Sequence, residues 1–329
     1  MMGEAVGLGV VGATLLFLLA LAAALVSGSN DGATLVALNT RTTTIAPLRA
    51  VVVLSLFVAF TPMIVGTAVA STVAHGLVAF ERTGGELAFL VAIACALGIV
   101  YLLSHRGLPT SVTLAITGSI VGAGIGFGLP VHWVTVVAVL LAGVVAPLTA
   151  ALVGYLVAAL EQRLRPPELS PRFRKLGEWT GFLVQSFAYG SNDAEKLVAI
   201  VAIALGLSVH GVQISIPGQL AVGLLFAPGI LLSVQQMATK VSDRIMHVRS
   251  DTAIEVTVCA AGVVLLSSLL GYPISSTQAA TAALVGVGAR TAPRQLQWGQ
   301  IGRIGVAWLV TLPLAVGVAA IAGLIVRLV

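Results

Sequence analysis

The chain has 329 residues, of which 58% are apolar and only 9% are Asp, Glu, Lys or Arg. Soluble proteins carry roughly 25% charged residues, so this chain has too few charges to cover the surface of a soluble enzyme. The same composition excludes a disordered chain and a nucleic-acid-binding protein, despite a net charge of +5. A mean hydropathy of +1.07 predicts instead an all-α polytopic membrane protein in a lipid bilayer, with no nucleic-acid partner.

Ten apolar stretches are candidates for transmembrane helices, which need about 20 mainly apolar residues. In chain order they are 5–27, 46–72, 86–104, 108–128, 133–160, 178–206, 217–236, 253–271, 273–289 and 304–328. The stretches 108–128 and 273–289 are short and rich in Gly, so they are either full crossings or re-entrant hairpins. We therefore expect about ten transmembrane segments.

The distribution of basic residues predicts the topology, because cytoplasmic loops carry an excess of Lys and Arg. The loops 73–85, 129–132 and 207–216 contain a single Lys or Arg residue, Arg82. The alternate loops and the adjoining span ends carry the basic residues Arg41, Arg49, His105, Arg106, Arg163, Arg165, Arg172, Arg174, Lys175, Lys240, Arg244, Arg249, Arg290, Arg294 and Arg303. Ten crossings with both termini outside and the central basic loop in the cytoplasm satisfy this pattern. The compact loops suggest the plasma (inner) membrane of a prokaryote.

The two halves of the chain repeat each other. Gly-Ser-Asn-Asp at 28–31 recurs at 190–193, and Pro-x-Ser-x-Thr at 109–113 recurs at 273–277. Five predicted crossings in each half, an odd number, make the repeats inverted in the membrane. We divide the chain into a first inverted repeat (1–160), a basic cytoplasmic linker (161–176) and a second inverted repeat (177–329). Inverted repeats are typical of secondary transporters, whose sites lie at discontinuous helices, so we expect broken helices or re-entrant hairpins at both motifs.

The aspartates of the repeated quartet predict a functional site. Asp31 is the only charged residue between Glu4 and Arg41, and Asp193 occupies the matching position. A carboxylate inside the bilayer costs at least about 2.5–3.5 kcal/mol. A structural alternative is a helix cap near the membrane surface. Gly28 and Gly190 predict that the backbone leaves helical geometry there, so that a new helix start presents its N–H groups to an anion.

The prolines at 109 and 273 predict two more helix starts, at Thr110/Ser111 and Ile274/Ser275, both rich in hydroxyl groups. An oxyanion bound there would be repelled by the two aspartates unless cations lay between them. Neither motif contains an Arg. The economical interpretation is therefore cation-coupled uptake of an oxyanion. Lys196 is expected to form a local ion pair with Asp193, three residues before it, rather than to contact the anion.

These motifs resemble those of the inorganic phosphate transporter (PiT) family. The resemblance implies a symporter that imports phosphate by alternating access, with Na⁺ or H⁺ as coupling ion and no cofactor. It implies a cation site formed by Asn30, Asp31, Asn192 and Asp193, with sodium at Asp31 and Asp193 as one option. It implies anion contacts at Ser29, Ser191, Thr110, Ser111, Thr113, Ser275, Ser276 and Thr277, with Glu195 and Lys196 as accessory residues. Leu114 and Gln278 stand where the family commonly has His.

Three alternatives remain open from the sequence. A sulfate or other oxyanion permease could use the same fold, and a passive anion channel or an intramembrane enzyme would represent different classes. The sequence also leaves open whether the chain forms a homodimer, because Gly-rich helices pack equally well within and between chains.

Overall fold

The computed structural model describes residues 9–40, 43–105, 110–164, 170–206, 212–242 and 250–329. Apart from an isolated antiparallel bridge between Val78 and Val131, the regular structure in these ranges is helical. The helices are α1 Val10–Ser27, α2 Ala33–Thr40, α3 Pro47–Val65, α4 Ala68–Ser71, α5 Gly85–His105, α6 Val112–Phe127, α7 Trp133–Leu164, α8 Pro171–Tyr189, α9 Glu195–Ala204, α10 Ile216–Ser242, α11 Ser250–Leu269, α12 Ser276–Thr291 and α13 Trp298–Leu328. A short 3₁₀ helix, Pro293–Gln295, precedes α13.

Seven of the described helices are long and apolar enough to cross a membrane. They are Val10–Thr40, Pro47–Val65, Gly85–Ser104, Trp133–Leu164, Ile216–Met237, Thr252–Leu269 and Trp298–Leu328. This confirms the polytopic all-α membrane fold, but not the count of ten. Helices α6 and α12 have 16 residues each, about 24 Å of length against a hydrocarbon core of about 30 Å.

The Asn-Asp motifs distort their helices without interrupting them, so the expected unwound turn is wrong. Five-residue π-helical turns, Gly28–Gly32 and Gly190–Ala194, join α1 to α2 and α8 to α9. Gly28 (φ −58°, ψ −46°) and Gly190 (φ −60°, ψ −39°) keep helical angles. They are glycines for a different reason: a Cβ atom on Gly28 would lie 2.2 Å from the carbonyl oxygen of Phe226, and one on Gly190 would lie 2.5 Å from Cβ of Thr61.

Other predicted boundaries also change. The stretch 46–72 is not one span, because α3 ends at Val65 and Gly66 takes a φ of +108°, which a side chain would strain. Helix α4 and a π-helical turn, Thr72–Gly76, follow it. Helices α7 and α8 extend to Leu164 and from Pro171, further into the central basic segment than predicted. Several residues on which these expectations rest lie outside the described ranges: Glu4, Arg41, Arg106, Pro109, Arg165, Arg244, Arg249 and the loop positions 207–211.

Each short helix packs most extensively against the last helix of the opposite half, α6 against α13 and α12 against α7. Matching glycines allow the close approach. A Cβ atom on Gly122 of α6 would lie 2.2 Å from the carbonyl oxygen of Val316, and one on Gly286 of α12 would lie 1.9 Å from that of Ala151. Small residues let membrane helices pack at backbone distance. This packing fixes the N-terminal ends of α6 and α12, where the predicted site residues lie.

Candidate functional site

The two asparagines of the repeated quartets tie the π-helical turns to the segments that enter α6 and α12. Asn30 Nδ2 donates to the carbonyl oxygen of Thr110 at 3.0 Å. In the second half, Asn192 Nδ2 donates to the carbonyl oxygen of Tyr272 at 3.0 Å, and Asn192 Oδ1 accepts from the backbone N–H of Ile274 at 3.1 Å. The motifs that are 80 residues apart in sequence therefore meet in both halves.

Helices α6 and α12 begin with serine N-caps, one residue later than predicted. Ser111 Oγ accepts from the backbone N–H of Leu114, and Ser275 Oγ accepts from that of Gln278, both at 3.3 Å. A helix start attracts anions, because its first N–H groups lack intrahelical partners and its dipole is positive there. Thr277 Oγ1 lies 3.0 Å from Ser275 Oγ, so the start of α12 presents two adjacent hydroxyl groups.

The two buried aspartates each contact a threonine of the opposite half. Thr277 Oγ1 lies 3.2 Å from Asp31 Oδ1, and Thr113 Oγ1 lies 3.4 Å from Asp193 Oδ1. The two contacts are equivalent under the internal repeat. Ser276 donates a further hydrogen bond to Asp193 Oδ2. The aspartates are thus located where the halves meet, beside both helix starts.

Lys196 forms the local ion pair predicted from its spacing. Its ammonium nitrogen lies 2.6 Å from Asp193 Oδ1, 2.7 Å from Thr113 Oγ1 and 2.6 Å from the carbonyl oxygen of Ile274. An ammonium group has three N–H donors, so these three oxygens use all of them.

Glu195 is adjacent in sequence to Lys196 but has different partners. Its Oε2 atom accepts from the backbone N–H groups of Val69 and Ala70 at 2.8 and 3.1 Å. These are the second and third residues of α4, so Glu195 caps the N-terminus of that helix. The structure therefore places this predicted accessory residue against α4, and within the described ranges its hydrogen bonds do not reach the hydroxyl groups at the helix starts.

The hydroxyl groups of Ser29 and Ser191 also point elsewhere. Each donates to a carbonyl oxygen three residues earlier in its own helix, that of Val26 or Ala188, at 2.9 Å. Such local bonds are common for serine in helices. Thr110 contacts the site through its backbone: its carbonyl oxygen accepts from Asn30 Nδ2, while its Oγ1 lies 3.3 Å from Ser104 Oγ.

Tyr189 is a further candidate site residue, which the sequence motifs did not predict. Its side chain is 1% exposed, and its hydroxyl has no hydrogen-bond partner among the described residues. It lies near both Asp31 and Asp193 and packs on Phe226, with ring centroids 5.5 Å apart. A buried hydroxyl without a partner costs about 1–3 kcal/mol, so it suits a group that binds a polar ligand. Its position directly before the second quartet is the sequence signal.

Comparison with known proteins identifies the family. The protein-family model described as "Phosphate transporter family" matches residues 27–184 and 165–319. The chain belongs to the phosphate transporter family. It is 30% identical over 326 residues to the "Probable low-affinity inorganic phosphate transporter" of Mycobacterium leprae, an alignment that covers 94% of this chain and 77% of the relative.

Two further comparisons cover almost the whole of both chains. The "Probable low-affinity inorganic phosphate transporter" of Bacillus subtilis is 25% identical, over 96% of this chain and 97% of its own. A solved structure titled "The sodium-dependent phosphate transporter" shares the fold with a TM-score of 0.83 at 19% identity, over 97% of this chain and 100% of that chain. The resemblance seen in the motifs is confirmed, and this phosphate transporter family member is a membrane transporter, which excludes the enzyme alternative.

Proposed function

We propose that this phosphate transporter family member is a cation-coupled symporter that imports inorganic phosphate by alternating access. The observation that carries the proposal is the contact of two buried aspartates, one from each half, with threonines at two capped helix starts. Helix starts attract an oxyanion, whereas the carboxylates repel it. Binding of the anion therefore depends on a cation that neutralises a carboxylate, and this dependence couples the two fluxes.

The chemistry of the cluster supports phosphate over sulfate. Phosphate at neutral pH carries an O–H group that can donate to a carboxylate, whereas sulfate has none. The proposed anion contacts are Ser111, Thr113, Ser275, Ser276, Thr277 and the hydroxyl of Tyr189. The proposed cation site comprises the quartet residues Asn30, Asp31, Asn192 and Asp193. The sodium dependence named for the structural neighbour supports Na⁺ as the coupling ion, and H⁺ is the alternative.

The test is uptake of radiolabelled phosphate by purified protein in liposomes. Uptake is followed with an inward Na⁺ gradient, with an inward H⁺ gradient, and with neither, and excess unlabelled sulfate is added as competitor. We expect uptake that follows one gradient, that sulfate leaves intact, and that Asp31→Asn abolishes. Glu81→Gln is the matched control, because Glu81 is an exposed carboxylate paired with His75 at 2.7 Å.

Two other outcomes would each contradict one part of the proposal. Accumulation of labelled sulfate instead of phosphate would retain the site and refute the substrate. Phosphate flux that ignores both gradients and Asp31 would refute the coupling, and the protein would be a passive channel.

We also propose the orientation that the basic loops predict, with the central loop around 165–170 in the cytoplasm and both termini outside. Labelling of single cysteines, introduced near each terminus and in the central loop, with an impermeant maleimide on intact cells tests it. Labelling of the central loop from outside would contradict it.

A further inference from the structure

The ammonium group of Lys196 lies in a cage of oxygens. Its three partners are a carboxylate oxygen of Asp193, the hydroxyl of Thr113 and the carbonyl oxygen of Ile274, all within 2.6–2.7 Å. The residue is 2% exposed. With all three donors used, the group has no N–H left for a bound anion.

Carboxylate and main-chain carbonyl oxygens at distorted helices are the ligands that hold coupling cations in secondary transporters. We propose that Lys196 is a tethered cation that permanently occupies the cation site of the second half, and that the mobile coupling ion binds at Asp31 alone. This inference rests on the proposed symport function. It assigns to Lys196 a role in fixing the number of ions that move with each phosphate.

The first half contains the equivalent oxygens without the ammonium group. Thr277 Oγ1 lies 3.2 Å from Asp31 Oδ1. Asn30 Nδ2 donates both to that Oδ1 atom, at 3.2 Å, and to the carbonyl oxygen of Thr110, at 3.0 Å. Under the internal repeat, these three oxygens correspond to those around Lys196.

The residue equivalent to Lys196 in the first half is Thr34. Its hydroxyl donates to the carbonyl oxygen of Asn30 at 2.7 Å, within its own helix. Among the described residues, no Lys or Arg forms an ion pair with Asp31. One half therefore has an ammonium group of the chain in direct contact with its carboxylate, and we assign the neutralisation of the other carboxylate to a cation from solution.

The test compares the wild type with Lys196→Thr, which gives the second half the residue that the first half has. Reconstituted protein receives a tenfold gradient of the ion that drives wild-type uptake, with the membrane potential clamped at zero. The phosphate ratio at which net flux stops is then measured. Each coupled ion raises this limiting ratio by about tenfold, and the ratio does not depend on the amount of active protein.

We expect the limiting ratio of Lys196→Thr to be about tenfold above that of the wild type, because one more mobile ion binds at Asp193. Lys175→Thr, the same substitution at an exposed lysine, is the control and should leave the ratio unchanged. An unchanged ratio in Lys196→Thr would overturn the tethered-cation role. Wild-type uptake indifferent to both gradients would overturn the proposed function instead.

If Lys196→Thr does not transport phosphate, the reciprocal variant tests the tethered-cation role. Thr34→Lys places an ammonium group beside Asp31 and should make phosphate binding independent of the driving ion. Calorimetric titration of the purified variant with phosphate, at saturating and at zero concentration of that ion, measures this. Binding that still requires the ion would overturn the inference.

Discussion

Asp31 and Asp193 are equivalent in the repeat, yet we expect their neutralisation to affect stability differently. The Asp193–Lys196 pair is buried at 2.6 Å. At that distance, an effective dielectric constant of about 20 gives an attraction of about 6 kcal/mol, which desolvation partly offsets. Removal of one partner from such a pair costs about 3–5 kcal/mol, because the other charge remains buried and unpaired. Asp193→Asn should therefore lower the free energy of unfolding by about 3–5 kcal/mol.

Asp31→Asn should change the free energy of unfolding by about 1 kcal/mol or less, since an amide can keep the hydrogen bond to Thr277 and no ion pair is lost. Equilibrium unfolding in mixed detergent micelles measures both variants. The double variant Asp193→Asn with Lys196→Met should recover at least half of the loss, because it removes the stranded ammonium group. Equal losses in the two single variants, or no recovery in the double variant, would refute the ion-pair argument.

Three further predictions concern other parts of the site. Gly28→Ala should destabilise the protein by about 1–3 kcal/mol, since its Cβ atom would collide with the carbonyl oxygen of Phe226. Gly143→Ala should not destabilise it, because no atom lies within 4 Å of the added Cβ atom, and thermal unfolding of the two purified variants compares them. Tyr189→Phe should raise the KM for phosphate about tenfold with little loss of stability, because it removes a buried hydroxyl that has no described partner; an unchanged KM would remove this residue from the anion site. Glu195→Ala should cost about 1–3 kcal/mol, because two buried N–H groups of α4 lose their acceptor; full stability of the variant in the same unfolding assay would contradict the capping role.

Much of the site was predictable because its polar and charged residues recur at matching positions in the two halves of an apolar chain. The matched quartets around Asp31 and Asp193 and the Ser-x-Thr segments do meet, and helices begin within a residue of the starts predicted after the prolines, with Ser111 and Ser275 as their N-caps. The ion pair of Lys196 followed from a three-residue spacing, which places two side chains on the same face of a helix.

The remaining features depend on contacts that no local pattern contains. Gly28 suggested a flexible break, but its neighbour Phe226 is almost 200 positions away and requires close helix packing instead. The partners of Glu195 lie on α4, more than 120 positions earlier in the chain. The internal bonds of Ser29 and Ser191 could not be distinguished from anion contacts by sequence, because a hydroxyl group is suited to both.

The cross-packing of the short helices limits how the molecule can rearrange. A motion that separated the two sequence repeats as blocks would have to pull α6 away from α13 and α12 away from α7, along seams where glycines bring backbones into contact. Motions that preserve these seams group α6 with α13, and α12 with α7. Each group of helices that moves together therefore contains helices of both repeats. The boundary between the sequence repeats is not the boundary along which the protein moves.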